Sequence, residues 1–320
     1  MTTRPQWYRP DHQLAFRMAL TMFLMVMVYV VFVFVLGHYF SGFGFGFFAV
    51  IAVIIAGCQF YFADKIALWS MNARIVDEAQ APDLHAMIER LAQQANLPKP
   101  RIAIVDTTVP NAFATGRDQN HAVVCVTTGI MNRLNTGEME AVLAHELTHI
   151  INKDMLVMAI ASFFAMVSAL LTRSLLYGMM WGGMGGGYGG GRRGGNNNDS
   201  GAAMEMVLLL VSAVVAAISF VLVRTLSRYR ELAADRGSAL ITGSPGNLES
   251  ALMKISDTMQ NGRIPDRDLR QASAVNALAI IPAIKGSDVQ EIFSTHPSLQ
   301  HRIEQLQRMQ EQMESANRTH

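Results

Sequence analysis

The sequence predicts a mainly α-helical chain with a small β-sheet, an α+β fold, accompanied by about four transmembrane helices. Three observations predict it. Of 320 residues, 51% are hydrophobic and only 16% charged, against about 25% charged in an ordinary soluble domain. The charges are missing from long stretches, above all between Arg17 and Asp64, where no Asp, Glu, Lys or Arg occurs. The charged remainder shows apolar residues at helical spacing, interrupted by two short β-branched runs. The same figures exclude several classes. So apolar a chain is not mainly disordered. A net charge of +1 provides no general field for nucleic acid. Two cysteines, Cys58 and Cys125, exclude a disulfide scaffold and a thiolate zinc cage.

A spanning helix needs about 20 apolar residues. The charge-free stretch holds two such runs, Met18–Leu36 and Phe43–Phe62, joined by the short turn GHYFSG. Arg4, Arg9 and Arg17 precede the first run and the turn has no Lys or Arg. The positive-inside rule therefore puts the N-terminal side in the cytoplasm and returns the chain there at Lys65. The first run is too long for a cleaved signal peptide, and no A-x-A site follows it. Two later runs, Met155–Thr172 and Met206–Val223, are at the short end for spans, and buried helices are the alternative. Between them, 11 of the 20 residues from Gly182 to Gly201 are glycine. Such composition packs no core, and a flexible solvated loop is expected.

The charged segments supply the remaining elements. APDLHAMIERLAQQANL reads as an amphipathic helix ended by Pro98 and Pro100. RIAIVD (101–106) reads as a strand, NAFATG as a turn-like connector, and HAVVCVTTGI (121–130) as a second strand. GEMEAVLAHELTHIINKDM then reads as a helix, and SRYRELAADRGSALITG, LESALMKISDTM and HRIEQLQRMQEQMES as three more. The expected organisation is an N-terminal hairpin (1–64), a first catalytic segment (65–154), two apolar helices with the Gly-rich loop (155–226), and a helical second catalytic segment (227–320).

The chemistry is concentrated in His145-Glu146-Leu147-Thr148-His149, an HExxH motif. Histidines four apart on a helix share a face, so both imidazoles reach one metal. Glu146 is placed to take a proton from metal-bound water and later pass it to a leaving amine. Ala141, Val142, Leu143, Ala144, Leu147, Ile150 and Ile151 surround the motif. A helix that apolar is buried, so the polar groups within it need a reason, and one Zn2+ per chain is expected.

Catalytic zinc takes three protein ligands, and no HExxHxxGxxH is present. Asp154 lies five residues past His149, about 140° around a continuing helix, and reads as a helix-end charge at the membrane boundary. Glu231 and Asp235 are four apart in YRELAAD. Glu231 is a candidate ligand and Asp235 a candidate acceptor for a ligand His N–H. A solvated acidic face beside Arg228, Arg230 and Arg236 is the other reading.

HELTH, the upstream NAFATG and VCVTTGI, the downstream SRYRELAAD and the late FSTHPSLQHRI together resemble the HtpX heat-shock membrane protease family and, more distantly, the CAAX prenyl endopeptidase. The resemblance covers the whole chain. It implies a gluzincin-like zinc metalloprotease domain, zinc held by His145, His149 and Glu231, Glu146 as general base, and Asp235 orienting a ligand His. It also implies that His296 and Arg302 lie by the zinc and assist catalysis on the bound substrate. The strand HAVVCVTT would offer a sheet edge to an extended peptide, with Asn111 and Ala112 near that edge.

The expected protein is a membrane-embedded zinc-dependent endopeptidase of the bacterial cytoplasmic membrane. It would be multi-pass, with its active site facing the cytoplasm, acting on protein or peptide substrates in quality control of damaged membrane proteins. Nucleic acid is not an expected partner, the lipid bilayer is, and a homo-oligomer is left open. A processing peptidase for lipidated or pro-form proteins and a non-catalytic scaffold are the alternatives.

Overall fold

The computed structural model describes residues 12–39, 60–159, 198–261 and 297–318, with a few isolated positions between them. The chain forms two compact units. The first comprises Met1–Met18, Gln59–Val157 and Leu226–His320, the second Ala19–Cys58 and Met158–Thr225.

The first unit is built on a four-stranded mixed sheet, in the order β1-β2-β4-β3. Its strands are β1 (Arg74–Ile75), β2 (Arg101–Val105), β3 (Ala112–Thr115) and β4 (Val123–Thr127). β2 and β4 run parallel, and the outer pairs are antiparallel. The sheet is larger than the two strands expected. NAFATG, read as a connector, supplies β3. HAVVCVTT, read as an edge, supplies the inner strand β4. The sequence Ala-Phe-Ala-Thr lacks the β-branched run that marks a strand, which is why its role is invisible locally.

Period-two alternation buries both faces of the sheet. Ile102, Val124, Val126, Ala112 and Ala114 point into the larger core. Ala103, Val105, Val123, Cys125 and Phe113 point the other way, onto Ala67 and Met71. The larger core is closed by α3 (Pro82–Gln94), α5 (Thr136–Ile151) and α7 (Pro245–Asn261), with Leu306 and Met309 of α8 (Leu299–Arg318). α2 (Ala63–Ser70) lies on the smaller core, and α4 (Thr128–Met131) caps β4.

The start of α5 is pinned. Asn135 and Glu138 form a capping box, with Glu138 N–H donating to Asn135 Oδ1 at 2.9 Å and Asn135 N–H to Glu138 Oε2 at 3.0 Å. The same carboxylate accepts from Ser250 Oγ at 2.6 Å and Lys254 Nζ at 2.8 Å on α7. α5 ends at Ile151, and a turn through Asn152 and Lys153 (φ 56°) intervenes before helix resumes at Asp154. The helix expected to run through to Asp154 and Met155 is therefore broken.

The second unit contains most of α1 (His12–Tyr39) and the apolar part of α6 (Asn198–Thr242), a single helix of 45 residues. In α1, Met25, Tyr29 and Phe32 are buried on one face, while Phe23 and Phe34 project outward. His12–Phe32 and Met206–Thr242 are long and apolar enough to cross a bilayer, and only 22% of each apolar window is buried, unlike a core helix. Of the roughly four expected spans, two are found among the described residues. Most of Phe43–Phe62 and of Met155–Thr172 lies outside them. Most of the Gly-rich segment does too, but its last residues, Asn198–Gly201, form the first turn of α6.

Burial raises the proton affinity of Glu138, but Lys254, Ser250 and the Asn135 N–H outweigh it and hold the carboxyl below its ordinary range. Its stabilisation is present above the unfolded-state value of about 4.3 and is lost as pH falls through the lower folded value. Glu138→Gln is expected to cost about 1.5–3 kcal/mol at neutral pH, the range for a hydrogen bond to a charged group. Thermal unfolding in detergent at pH 7 and pH 4 should show a deficit that narrows at the acid end.

Candidate metal centre and catalytic site

α5 delivers His145, Glu146 and His149, all buried. Their neighbour is Glu231 of α6. His145 Nε2 and His149 Nε2 are 3.2 Å apart. Glu231 Oε2 lies 3.5 Å from His145 Nε2, and Oε1 lies 3.5 Å from His149 Nε2. A tetrahedral ion bound at about 2.0–2.2 Å separates its donors by about 3.3–3.6 Å. The three donors thus sit at the corners of a site of that size, and this triad is the one group of metal-ligating type among the described residues.

The backs of both imidazoles meet carboxylates. His145 Nδ1 is 3.0 Å from Asp235 Oδ1, and His149 Nδ1 is 2.7 Å from Asp154 Oδ2. Each contact turns the Nε2 lone pair toward the other donors. Guanidiniums hold the carboxylates in turn. Arg302 Nε and Nη2 donate to Asp235 at 2.9 and 2.6 Å. Arg230 Nε is 3.2 Å from Asp154 Oδ2.

The structure corrects the reading of Asp154. Although helix resumes at Asp154, the residue is no solvated end charge. It is buried against His149, because the left-handed turn at Lys153 returns the chain toward the imidazole. Extrapolating the helix past Ile151 hides this. The breaker pair Asn152-Lys153 before an acidic residue is the available signal. Arg302 lies beside the triad. Its side chain is 2% exposed and faces Asp235, with Nη1 3.7 Å from Glu231 Oε2. Arg230 was not singled out from the sequence. His296 lies outside the described residues.

A close helix crossing sets this geometry. Ser238 Oγ of α6 donates to Ala141 O of α5 at 2.7 Å. Gly237 faces Thr148, the fourth residue of HExxH, and a Cβ at 237 would collide with that side chain. Small residues here let α6 approach until Glu231 and Asp235 reach His145. Gln305 Nε2 donates to Leu232 O at 2.9 Å and seats α8 against α6, with Arg302 beside Asp235.

The electrostatics fit a cation. Burial lowers the proton affinity of His145, yet Asp235 and Glu231 outweigh it and raise the pKa to about 9. Burial raises the Asp235 carboxyl, but Arg302 and His145 bring it below the ordinary range. Glu146 is raised, first by burial and further by Glu231, against the pull of both histidines and the Ala114 N–H. Glu146 is thus a carboxylate with enhanced basicity beside a site that calls for positive charge. Cys125 is buried and its thiol is pushed up to about 12 by burial and by Glu146, so it is inert as a nucleophile.

β3 runs along the same site. Thr127 N–H donates to Asn111 O at 3.0 Å. Antiparallel alternation then turns the backbone of Phe113 and Thr115 toward β4, and that of Ala112 and Ala114 away from it. The sheet edge is therefore β3, beginning at Ala112 and preceded by the buried Asn111, rather than HAVVCVTT.

A basic glutamate between a cation seat and the edge strand of a sheet is equipped to deprotonate water beside an extended peptide. Such an arrangement defines the class, a metal-dependent peptidase. Known proteins place the chain within it: residues 78–310 match the model of peptidase family M48, and the chain belongs to that family. It is 52% identical to the protease HtpX homolog of Moorella thermoacetica over 95% of this chain and 97% of that one. It is 49% identical to protease HtpX homolog 2 of Methanosarcina mazei, over 96% and 99%. The fold is similar to the crystal structure of S. mikatae Ste24p, with a TM-score of 0.52 and 18% identity, covering 92% of this chain and 66% of that one.

Gly237→Ala is expected to push α6 off α5, lowering metal content and thermal stability together. Thr148→Ala in the same chain should restore part of both, because it removes two of the atoms that the new methyl meets. Metal analysis and thermal scans of the single and double variants check this.

Proposed function

We propose that this chain is a zinc endopeptidase of the cytoplasmic membrane that cleaves damaged membrane proteins on the cytoplasmic side. One observation carries the reading. Three donors with the spacing of a tetrahedral zinc site stand beside Glu146, whose carboxylate accepts a hydrogen bond from the β3 backbone at Ala114. His145, His149 and Glu231 would hold the ion, with Asp235 and Asp154 fixing the imidazoles. Bound zinc would supply Lewis acidity, polarising the scissile carbonyl and lowering the pKa of water.

The residues of the chain do the rest. The outward backbone at Ala112 receives the substrate as an added strand, with Asn111 fixing the start of the edge. The Glu146 carboxylate takes the proton of the attacking water, then delivers it to the departing amine nitrogen. Burial keeps bulk water from competing for that carboxylate. Arg302 holds Asp235, and Arg230 holds Asp154, so neither imidazole can rotate.

Arg4, Arg9 and Arg17, followed by a charge-free stretch to Asp64, support the cytoplasmic placement. Backbone pairing reads little sequence, which supports a broad substrate range. The proposed division of labour assigns 1–64 and 155–226 to anchorage, and 65–154 and 227–320 to catalysis.

Glu146→Gln should lower peptide cleavage by about 10²–10⁴-fold with zinc content unchanged. Full cleavage by this variant would refute the mechanism. Chelation should abolish activity and zinc restore it. Membrane proteins that accumulate with the Glu146→Gln form, identified by mass spectrometry, would report the substrates.

Asp154→Asn and Arg230→Gln should each weaken zinc affinity, by about 10–100-fold for Asp154, measured by competition with a chromophoric chelator. Unchanged affinity in both would show that His149 needs no such support.

A further inference from the structure

Helix α2 is apolar on two faces. Its inner face follows the sequence spacing: Ala67, with Met71 just beyond the helix, packs on Ala103, Val105, Phe113, Val123 and Cys125. Asp64 is turned inward too, bonded by Arg101 Nη2 at 2.6 Å. The outer face repeats at i, i+4 and i+7 with Phe62, Ile66 and Trp69, all exposed, Trp69 at 84%. A helix on a soluble surface places polar residues there.

The exposure is concentrated. In the first unit, outside α1 and the apolar runs, five large hydrophobic side chains are exposed among the described residues: Ile66, Trp69, Ile75, Met131 and Met253. Three of these come within 13 positions of Phe62, where the second charge-free run ends. The exposed large hydrophobics of α1, such as Phe23 and Phe34, have an evident solvent in lipid. The α2 face carries the same chemistry with a polar fringe. Lys65 Nζ stands 5.4 Å from the Phe62 ring centroid, and Arg117 Cζ 4.4 Å from that of Tyr61. Aromatic rings capped by Lys and Arg are the composition of the membrane–water interface, where the ring lies in the headgroup layer and the cation reaches phosphate.

We propose that the Phe62–Ile66–Trp69 face of α2 is an interfacial docking surface that lays the catalytic unit on the bilayer into which the preceding run inserts. The occupant is lipid, because the face continues directly from a charge-free run long enough to span. The inference rests on the membrane reading and goes beyond it, since a tether could equally leave the catalytic unit in free solution. Docking would restrict the protease to substrates within reach of the membrane surface.

The sequence has three tryptophans, Trp7, Trp69 and Trp181. Full-length chain carrying Trp7→Phe and Trp181→Phe, reconstituted in liposomes, reports on Trp69 alone. Its emission is expected to be blue-shifted, largely lost to lipids brominated high in the acyl chain, less affected by lipids brominated near the methyl end, and protected from iodide. A second chain with Trp7→Phe, Trp69→Phe, Trp181→Phe and Phe23→Trp reports on α1. Loss of the α1 signal to brominated lipid, with Trp69 quenched only by iodide, would overturn docking and leave the membrane reading standing. Trp69 shielded from both quenchers would also overturn it, in favour of a protein partner. Failure of both probes to sense lipid would overturn the membrane reading as well.

Discussion

Charge balance in a water-poor space is the constraint on which the rest of the structure depends. Glu146, Asp154, Glu231 and Asp235 are buried close together, with Arg302 buried and Arg230 nearly so. Four carboxylates against two guanidiniums leave two negative charges around a pair of imidazoles. Burying unbalanced charge costs several kcal/mol per ion even after relaxation. A divalent cation at the Nε2 atoms closes the balance, and the three donors already have its spacing. The site is therefore a set of mutually dependent charges rather than three ligands with decoration.

Much of the surrounding architecture keeps those charges in register. The capping box at Asn135 and Glu138 fixes the start of α5, and the turn at Lys153 fixes the direction of the chain beyond its end. Ser238 and Gly237 set the distance at which α6 crosses. α8 brings Arg302 under Asp235, with Gln305 one turn along holding the Leu232 carbonyl. Each imidazole is backed by a carboxylate and then by an arginine, but the two chains of contacts differ in origin. The Asp235–Arg302 pair joins two helices far apart in sequence. Asp154 comes from the same segment as the histidine it orients.

Those differences decide what was legible in the sequence. HExxH and the i, i+4 pair Glu231 and Asp235 are local patterns, so helical periodicity alone exposes them as candidates. That the two patterns meet is a tertiary fact, which the residues by themselves left open and the family resemblance implied. Asp154 was misread because periodicity was carried across a break that a positive φ at Lys153 creates. Arg302 entered through the family resemblance alone, because no local spacing shows that its guanidinium packs against Asp235. β3 escaped because it draws its stability from Val123–Thr127 on one side rather than from its own propensity. The two-residue strand β1 and the four-residue helix α4 were too short to leave any periodic trace.

Substrate pairing with the backbone edge at Ala112, as proposed, would decide which proteins could be cut. A strand edge binds only chains whose own N–H and C=O groups are unengaged. A transmembrane helix in lipid has every one of those groups satisfied internally, and an intact sheet has few to offer. A chain that has lost its fold presents them freely. Such an edge would discriminate by the state of a substrate's hydrogen bonds rather than by its side chains, so that being misfolded would itself be the recognition signal.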